Sequence, residues 1–275
     1  MITLAPAIFA FLFGIIIGSF LNVCISRWPD NLSVVAPRSR CPKCAKQIDW
    51  YDNIPVISWL VLRGRCRGCR EPISALYPSI ELVVGLGWAA AFLAFGPTFT
   101  ALRLAIFGTL LLGIAVTDAQ RYLIPDGFTV FGLVWGLLSA MIALFIGDGA
   151  LFVGPQDALI GACAGAGAIA IVGWLGEVAL KKEAMGFGDV TLMAMVGAAL
   201  GPNYALLTVF IGAALGALTF VLVVYPIGWL RARRTKTEFE PPLVPFGVFL
   251  APAALLTLLW GSDLWQWYNN VILAV

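Results

Sequence analysis

The chain has 275 residues, of which 61% are hydrophobic and 12% charged, and its mean hydropathy is +0.94. Soluble domains carry about 25% charged residues, so this composition excludes a soluble enzyme and predicts a polytopic protein solvated by a lipid bilayer. A net charge of +2 is too small to predict a nucleic-acid partner, and the absence of histidine excludes every imidazole-based mechanism.

A helical crossing needs about 20 mostly apolar residues. In chain order, the apolar segments predict spans at Leu4 to Ile25, Tyr77 to Phe95, Leu102 to Thr117, Gly127 to Ile146, Ala158 to Leu180, Val190 to Leu200, Tyr204 to Leu230 and Leu243 to Trp260. The first lacks a basic leading region and a cleavage signal, so it reads as a permanent helix rather than a signal peptide. The sixth is short and bounded by glycine, which predicts a tilted, re-entrant or extended element. After the eighth, the aromatic stretch from Leu264 onward, with Trp265, Trp267 and Tyr268, reads as interfacial. The expected fold is therefore an all-α polytopic membrane protein of about eight transmembrane helices with one small polar loop domain. Its expected division is a first helix at 1–28, a loop domain at 29–76 and a membrane domain at 77–275.

Lysine and arginine collect in cytoplasmic loops. Here they crowd into 29–74, follow the fifth span at Lys181 and Lys182, and follow the seventh at Arg231, Arg233, Arg234 and Lys236. All fall on one side when the N-terminus lies outside.

The 29–76 loop carries Cys41-Pro-Lys-Cys44 and Cys66-Arg-Gly-Cys69, two CxxC pairs with 21 residues between them. That spacing predicts a structural four-cysteine zinc ribbon, because each pair supplies two thiolates and four ligands leave no open position for catalysis. In a reducing compartment disulfides are the weaker reading. Lys43, Arg65, Arg67 and Arg70 are expected to offset the thiolate charge. Cys24 and Cys163 lie in apolar spans and read as small packed side chains.

Asp118 and Asp189 stand at the edges of apolar segments, where an unpaired ionised group costs roughly 2.5 to 3.5 kcal/mol on insertion scales. Two carboxylates brought together share a proton, one acting as base toward water and the other as acid toward a carbonyl. Gly186 and Gly188 leave room for an extended peptide beside Asp189, and Pro125 stops the helix that follows Asp118. Asp126 reads as a first-turn residue of the fourth span. Glu81, inside the second span, is expected either to pair with an arginine or to belong to a polar site facing the cysteine loop. A proton-coupled transporter using the aspartates as a relay, and a scaffold whose zinc ribbon binds a partner, remain the alternatives from other classes.

The series Gly18-Ser-Phe-Leu-Asn22, the CxxC pairs, Asp52-Asn-Ile-Pro-Val-Ile-Ser-Trp59, Arg63-Gly-Arg-Cys66, Tyr77-Pro78 with Glu81, Asp118 with Ile124-Pro-Asp126, Met185-Gly-Phe-Gly-Asp-Val190 and Pro245-Phe-Gly247 resembles the bifunctional type IV prepilin peptidases, also called leader peptidase/N-methyltransferases. The resemblance implies that Asp118 and Asp189 are an aspartic protease pair that cuts the basic leader from prepilins and pseudopilins on the cytoplasmic face of a bacterial inner membrane. It also implies that the zinc-bearing domain takes part in S-adenosylmethionine-dependent methylation of the new N-terminus, with Glu81 a candidate near the methyl donor. Peptidase activity alone is the alternative within this family, and a different intramembrane aspartyl protease, similar to presenilins in sharing a GxGD, is the nearest enzymatic alternative outside it. Thr191 and Ala75 stand where the family often has basic residues.

Overall fold

The computed structural model describes residues 4–148, 151–181, 185–235 and 244–273, so Lys182, Lys236 and Leu243 lie outside the described residues. The described residues are helical apart from short turns and a mostly irregular loop at 31–75, which holds two isolated β-bridges. Seven segments are long and apolar enough to cross a membrane. The chain forms two compact units, Met1–Gly113 and Ile114–Val275.

In the first unit, α1 (Leu4–Arg27) packs on α3 (Leu76–Phe95), and the polar loop between them carries the short helix α2 (Ile57–Val61). Apolar burial drives little association between helices already in lipid, so close backbone approach through small residues does the work. A Cβ on Gly14 would lie 2.9 Å from Gly85 Cα, and one on Gly18 would lie 2.7 Å from Glu81 Cα. Asn22 then reaches across to donate its side-chain N–H to the Tyr77 carbonyl at 3.0 Å. Gly18, Ser19 and Asn22 thus lie on the side of α1 that fits α3, while Phe20 between them is exposed. α4 (Phe99–Arg121) begins in this unit, where Thr109 accepts the Trp88 indole N–H at 3.0 Å.

The second unit contains the end of α4, then α5 (Asp126–Ile146), α6 (Pro155–Leu180), α7 (Phe187–Thr219), α8 (Tyr225–Thr235) and α9 (Gly247–Tyr268). A π-helical turn, Phe220–Val224, joins α7 to α8. Asp126 opens α5 directly after Pro125, as its position predicts.

α7 is two legs. Gly201 has φ 79° and ψ 176°, a left-handed-side conformation that suits glycine, and Pro202 follows it, so the ladder breaks there. Gly165 on α6 lies against the Met193 carbonyl and also within 3.6 Å of the Ala205 side chain, both measured from a Cβ placed on Gly165. Met193 and Ala205 would stand about 18 Å apart in a straight helix, so the chain reverses at Gly201. The two legs are the short sixth and the seventh of the expected spans, which length and composition alone merge into one segment, Phe187–Arg231. Counting the two legs separately gives eight long helical segments among the described residues, against seven segments that are long and apolar enough to cross a membrane.

The first leg packs on α6 with backbones almost touching: a Cβ on Gly197 would overlap the Gly161 carbonyl, and one on Gly165 would overlap the Met193 carbonyl. The second leg packs on α9, where a Cβ on Gly212 would lie 2.8 Å from Leu250. α9 itself runs unbroken to Tyr268. Trp265, Trp267 and Tyr268 therefore lie on the last turns of the same helix as the eighth expected span, because no proline or glycine after Gly261 interrupts the ladder.

Candidate functional site

Asp118 lies in the last turn of α4 and is 5% exposed. Its carboxylate accepts the Val248 N–H at 3.2 Å, and the Gly247 N–H also points to it. These belong to the first turn of α9, whose N–H groups have no partner within the helix and carry partial positive charge. Pro245-Phe-Gly247 is thus the start of a helix aimed at Asp118. A Cβ on Gly247 would sit 2.8 Å from Asp118 Oδ2 and 2.9 Å from Ile124 Cδ1, so that turn approaches the carboxylate only because residue 247 is glycine.

Asp189 is half-buried in the first turn of α7, with Gly186 as the N-cap. It sits at the third helical position, from which its carboxylate reaches back to the Gly186 N–H, while its own N–H donates to the Gly186 carbonyl at 3.1 Å. That is the acidic half of a capping box. Gly188 brings the same turn against the α4–α5 connection: a Cβ there would lie 2.8 Å from Ile124 Cβ. Ile124 is therefore the buried wedge between Gly188 and Gly247, and the two carboxylates beside it interact electrostatically. Asp126 is two residues away and exposed. Two carboxyl groups held together by backbone N–H donors, with an exposed glycine edge at Gly186, can share a proton and activate water toward a peptide laid along that edge.

The cysteine loop makes a second centre, in the first unit. The Sγ atoms of Cys41, Cys44, Cys66 and Cys69 all lie within 4.8 Å of one another, and Cys41 and Cys69 are 3.8 Å apart. A tetrahedral ion with bonds of about 2.3 Å to sulfur needs sulfurs about 3.8 Å apart, so the donor set fits a metal ion. The two halves fold alike. Cys41 N–H donates to Lys46 and Ala45 N–H to Cys41; Cys66 N–H donates to Glu71 and Arg70 N–H to Cys66. Bridges Arg40–Gln47 and Arg65–Pro72 close the halves, and Ala45 and Arg70 both take positive φ. The N–H groups of Cys44 and Lys43 hold the Cys41 thiol down to about 6. The Glu71 N–H acts in the same direction on Cys69, but burial and the neighbouring thiols of Cys44, Cys41 and Cys66 outweigh it and push Cys69 up to about 11.

Two of the expected counter-cations are committed elsewhere. Arg67 makes a bidentate pair with Asp52, at 2.7 Å to Oδ2 and 2.6 Å to Oδ1, and lies over the Tyr51 ring. That pair holds the Asp52 carboxyl below the usual carboxylate range. Lys43 lies 3.8 Å from Glu71. The Asp52–Trp59 motif is explained by these links: Ser58 donates to the Tyr51 carbonyl at 2.8 Å, and Trp59 donates to the Ile73 carbonyl at 3.0 Å. Glu81 faces the loop, 8% exposed, accepting the Val56 N–H at 2.7 Å and the Ser19 hydroxyl. Of the two expectations for Glu81, the polar site facing the cysteine loop is the one the geometry matches. Sequence patterns alone did not reveal the Val56 contact, which depends on a turn of unusual backbone conformation.

Residues 12–95 match the family model described as Bacterial Peptidase A24 N-terminal domain, and residues 105–221 match that of the Type IV leader peptidase family. A "Prepilin leader peptidase/N-methyltransferase" of Myxococcus xanthus is 38% identical over 94% of this chain and 75% of its own length. One of Aeromonas hydrophila with the same name is 35% identical over 94% of this chain and 92% of its own. A "Type 4 prepilin-like proteins leader peptide-processing enzyme" of Escherichia coli is 37% identical over 69% of this chain and 75% of its own. No solved structure gives a significant match.

Proposed function

The chain belongs to the type IV leader peptidase family, as a multi-pass prepilin leader peptidase/N-methyltransferase, and we propose that Asp118 and Asp189 are the pair that cuts the leader. The observation that carries this is the convergence of the two carboxylates around Ile124, each held by the first turn of a helix. One carboxylate accepts a proton from water as the water oxygen attacks the scissile carbonyl; the other donates its proton to the carbonyl oxygen. Collapse of the tetrahedral species returns a proton to the leaving amine. No metal is needed at that pair, and Asp126 keeps a structural role at the start of α5. Gly186 leaves the peptide path open, whereas Gly188 makes room for Ile124, and Pro125 is the N-cap of α5 after α4 has ended at Arg121.

The substrates are prepilins and pseudopilins with basic leaders. The distribution of lysine and arginine supports a topology with the cysteine loop and the aspartates on the cytoplasmic face and the N-terminus outside, and the family relation supports a bacterial inner membrane as the location. Cys41, Cys44, Cys66 and Cys69 hold a structural Zn²⁺, whose contribution is to fix the 29–76 domain associated with methyl transfer. S-adenosylmethionine, when bound, supplies an electrophilic methyl group for the new N-terminal amine. The 77–275 region is assigned to the peptidase.

The test is leader cleavage by purified, membrane-reconstituted protein, read by product mass. Asp118→Asn and Asp189→Asn each abolish it while leaving zinc content and methylation of a pre-cleaved peptide intact. Turnover above about a hundredth of the wild-type rate by either variant refutes the assignment.

A further inference from the structure

The first unit encloses a cavity of about 590 Å³ under the cysteine loop, bounded by α1 and α3. Its volume lies within the roughly 300–1,000 Å³ usual for small-ligand sites. Glu81 lines it with Ser19, Asn22, Val56, Trp59 and Tyr77; of the basic residues that also line it, Lys43 lies against Glu71, Arg67 is paired with Asp52 and Arg27 donates to the Ser33 and Pro37 carbonyls. A carboxylate has about four acceptor positions. Glu81 uses two of them, for Val56 N–H and the Ser19 hydroxyl, and among the described residues no cation pairs with it. A buried carboxylate with spare acceptor capacity fits a cationic hydrogen-bond donor, and a cavity carrying two aromatic rings fits an apolar side chain next to that cation.

The backbone at Val56 supports a built site. Val56 has φ 61° and ψ −53° and is spanned by an Ile57 N–H to Pro55 carbonyl bond of 2.6 Å, a γ-turn that β-branched residues rarely enter. Strain of this kind persists where surrounding contacts enforce it and gathers at ligand sites. At Val56 it aims an N–H at one Glu81 oxygen and so fixes the carboxylate's orientation in the cavity.

We propose that this cavity receives the free α-amine of the cleaved pilin and that Glu81 is the group that takes the amine's proton before methyl transfer. The proposal rests on the N-methyltransferase reading above. An N-terminal ammonium cannot attack a methyl group. Passing one proton to Glu81 leaves a neutral amine and a neutral carboxylic acid, a change that a poorly solvated site favours over two separate charges. The amine lone pair then forms the N–C bond to the sulfonium methyl while the C–S bond breaks, its electron pair staying on sulfur. The methylammonium product and the thioether leave, and Glu81 returns its proton to water.

The experiment compares wild-type protein with Glu81→Gln in binding and turnover. Binding uses a fluorescent pre-cleaved peptide beginning with phenylalanine, with its α-amine free or acetylated and no methyl donor added. Wild type favours the free amine by at least 10-fold, and E81Q loses that preference. In turnover at pH 7, where about a tenth of a free α-amine is already neutral, E81Q methylates about 10-fold more slowly, and the deficit shrinks above pH 8, where the amine loses its proton unaided. A purely structural role gives a deficit independent of pH, and that result, or an undiminished free-amine preference in E81Q, overturns the proposal. A photoreactive first residue on the same peptide provides a check on unaltered protein: labelling of Ser19, Asn22, Trp59 or Tyr77 is expected, and labelling confined to residues 114–275 overturns the proposal. Wild-type protein that neither methylates the peptide nor binds S-adenosylhomocysteine refutes the methyltransferase reading itself. Wild type that methylates alongside an unaffected E81Q refutes only the role of Glu81.

Discussion

Replacing Gly247 by alanine tests how closely Asp118 is held. The added Cβ would stand 2.8 Å from Asp118 Oδ2 and 2.9 Å from Ile124 Cδ1, against ordinary contact at 3.4 Å or more, so something must yield by about 0.6 Å. Ile124 is already wedged against Gly188, and the α9 turn is tied to Asp118 through Val248 at 3.2 Å, so the carboxylate is the group that moves. A misplacement approaching 1 Å at a catalytic group costs on the order of 100-fold in rate, and overpacking of a tight core costs about 1–3 kcal/mol of stability. The assay is leader cleavage under saturating peptide, with methylation of pre-cleaved peptide as the internal control. G247A is expected to cleave about 100-fold more slowly while methylating normally. Cleavage within threefold of wild type, in protein with unchanged thermal stability, refutes the claim that this glycine sets the position of Asp118.

Further outcomes concern the loop and the helix packing. Purified protein contains about one zinc per chain, lost in Cys41→Ser together with methylation, as metal analysis can check. Zinc affinity of the metal-free protein rises with pH, because bound thiols must shed protons. With Cys41 poised at about 6 it already lacks its proton above that value, so a plot of log affinity against pH steepens by one proton below pH 6; a competition titration that shows no change of slope contradicts this. Gly197→Val places side-chain atoms on the Gly161 carbonyl and lowers the melting temperature in detergent, whereas Gly167→Ala, where a Cβ meets nothing within 4 Å, leaves it unchanged or raised.

Hydropathy made the spans legible because each backbone crossing must satisfy its hydrogen bonds within a helix. It located the short sixth span as well, since Gly201-Pro202 marks a break in any apolar run. The CxxC pairs were equally readable, because metal ligation fixes both residue type and spacing. What the pattern did not carry was partnership at a distance. The first turn of α9 meets Asp118 across 130 positions of chain, and nothing in Pro245-Phe-Gly247 names its acceptor. Arg67 looked like a counter-ion for sulfur, and only folding brought Asp52 to it. Glu81 was ambiguous for the same reason: its partner is a backbone N–H, which every residue but proline possesses.

The reversal at Gly201 has a consequence for the surrounding lipid. The leg from 187 to 200 measures about 21 Å at helical rise, well short of a hydrocarbon layer of about 30 Å. A span shorter than the hydrocarbon layer is met by local thinning, by snorkelling of flanking residues or by association. Thinning on the side where the leg begins, at Gly186 to Asp189, would bring the headgroup layer toward the carboxylates. A substrate anchored by its own apolar helix can thereby offer its polar junction to the aspartates without being drawn out of the membrane.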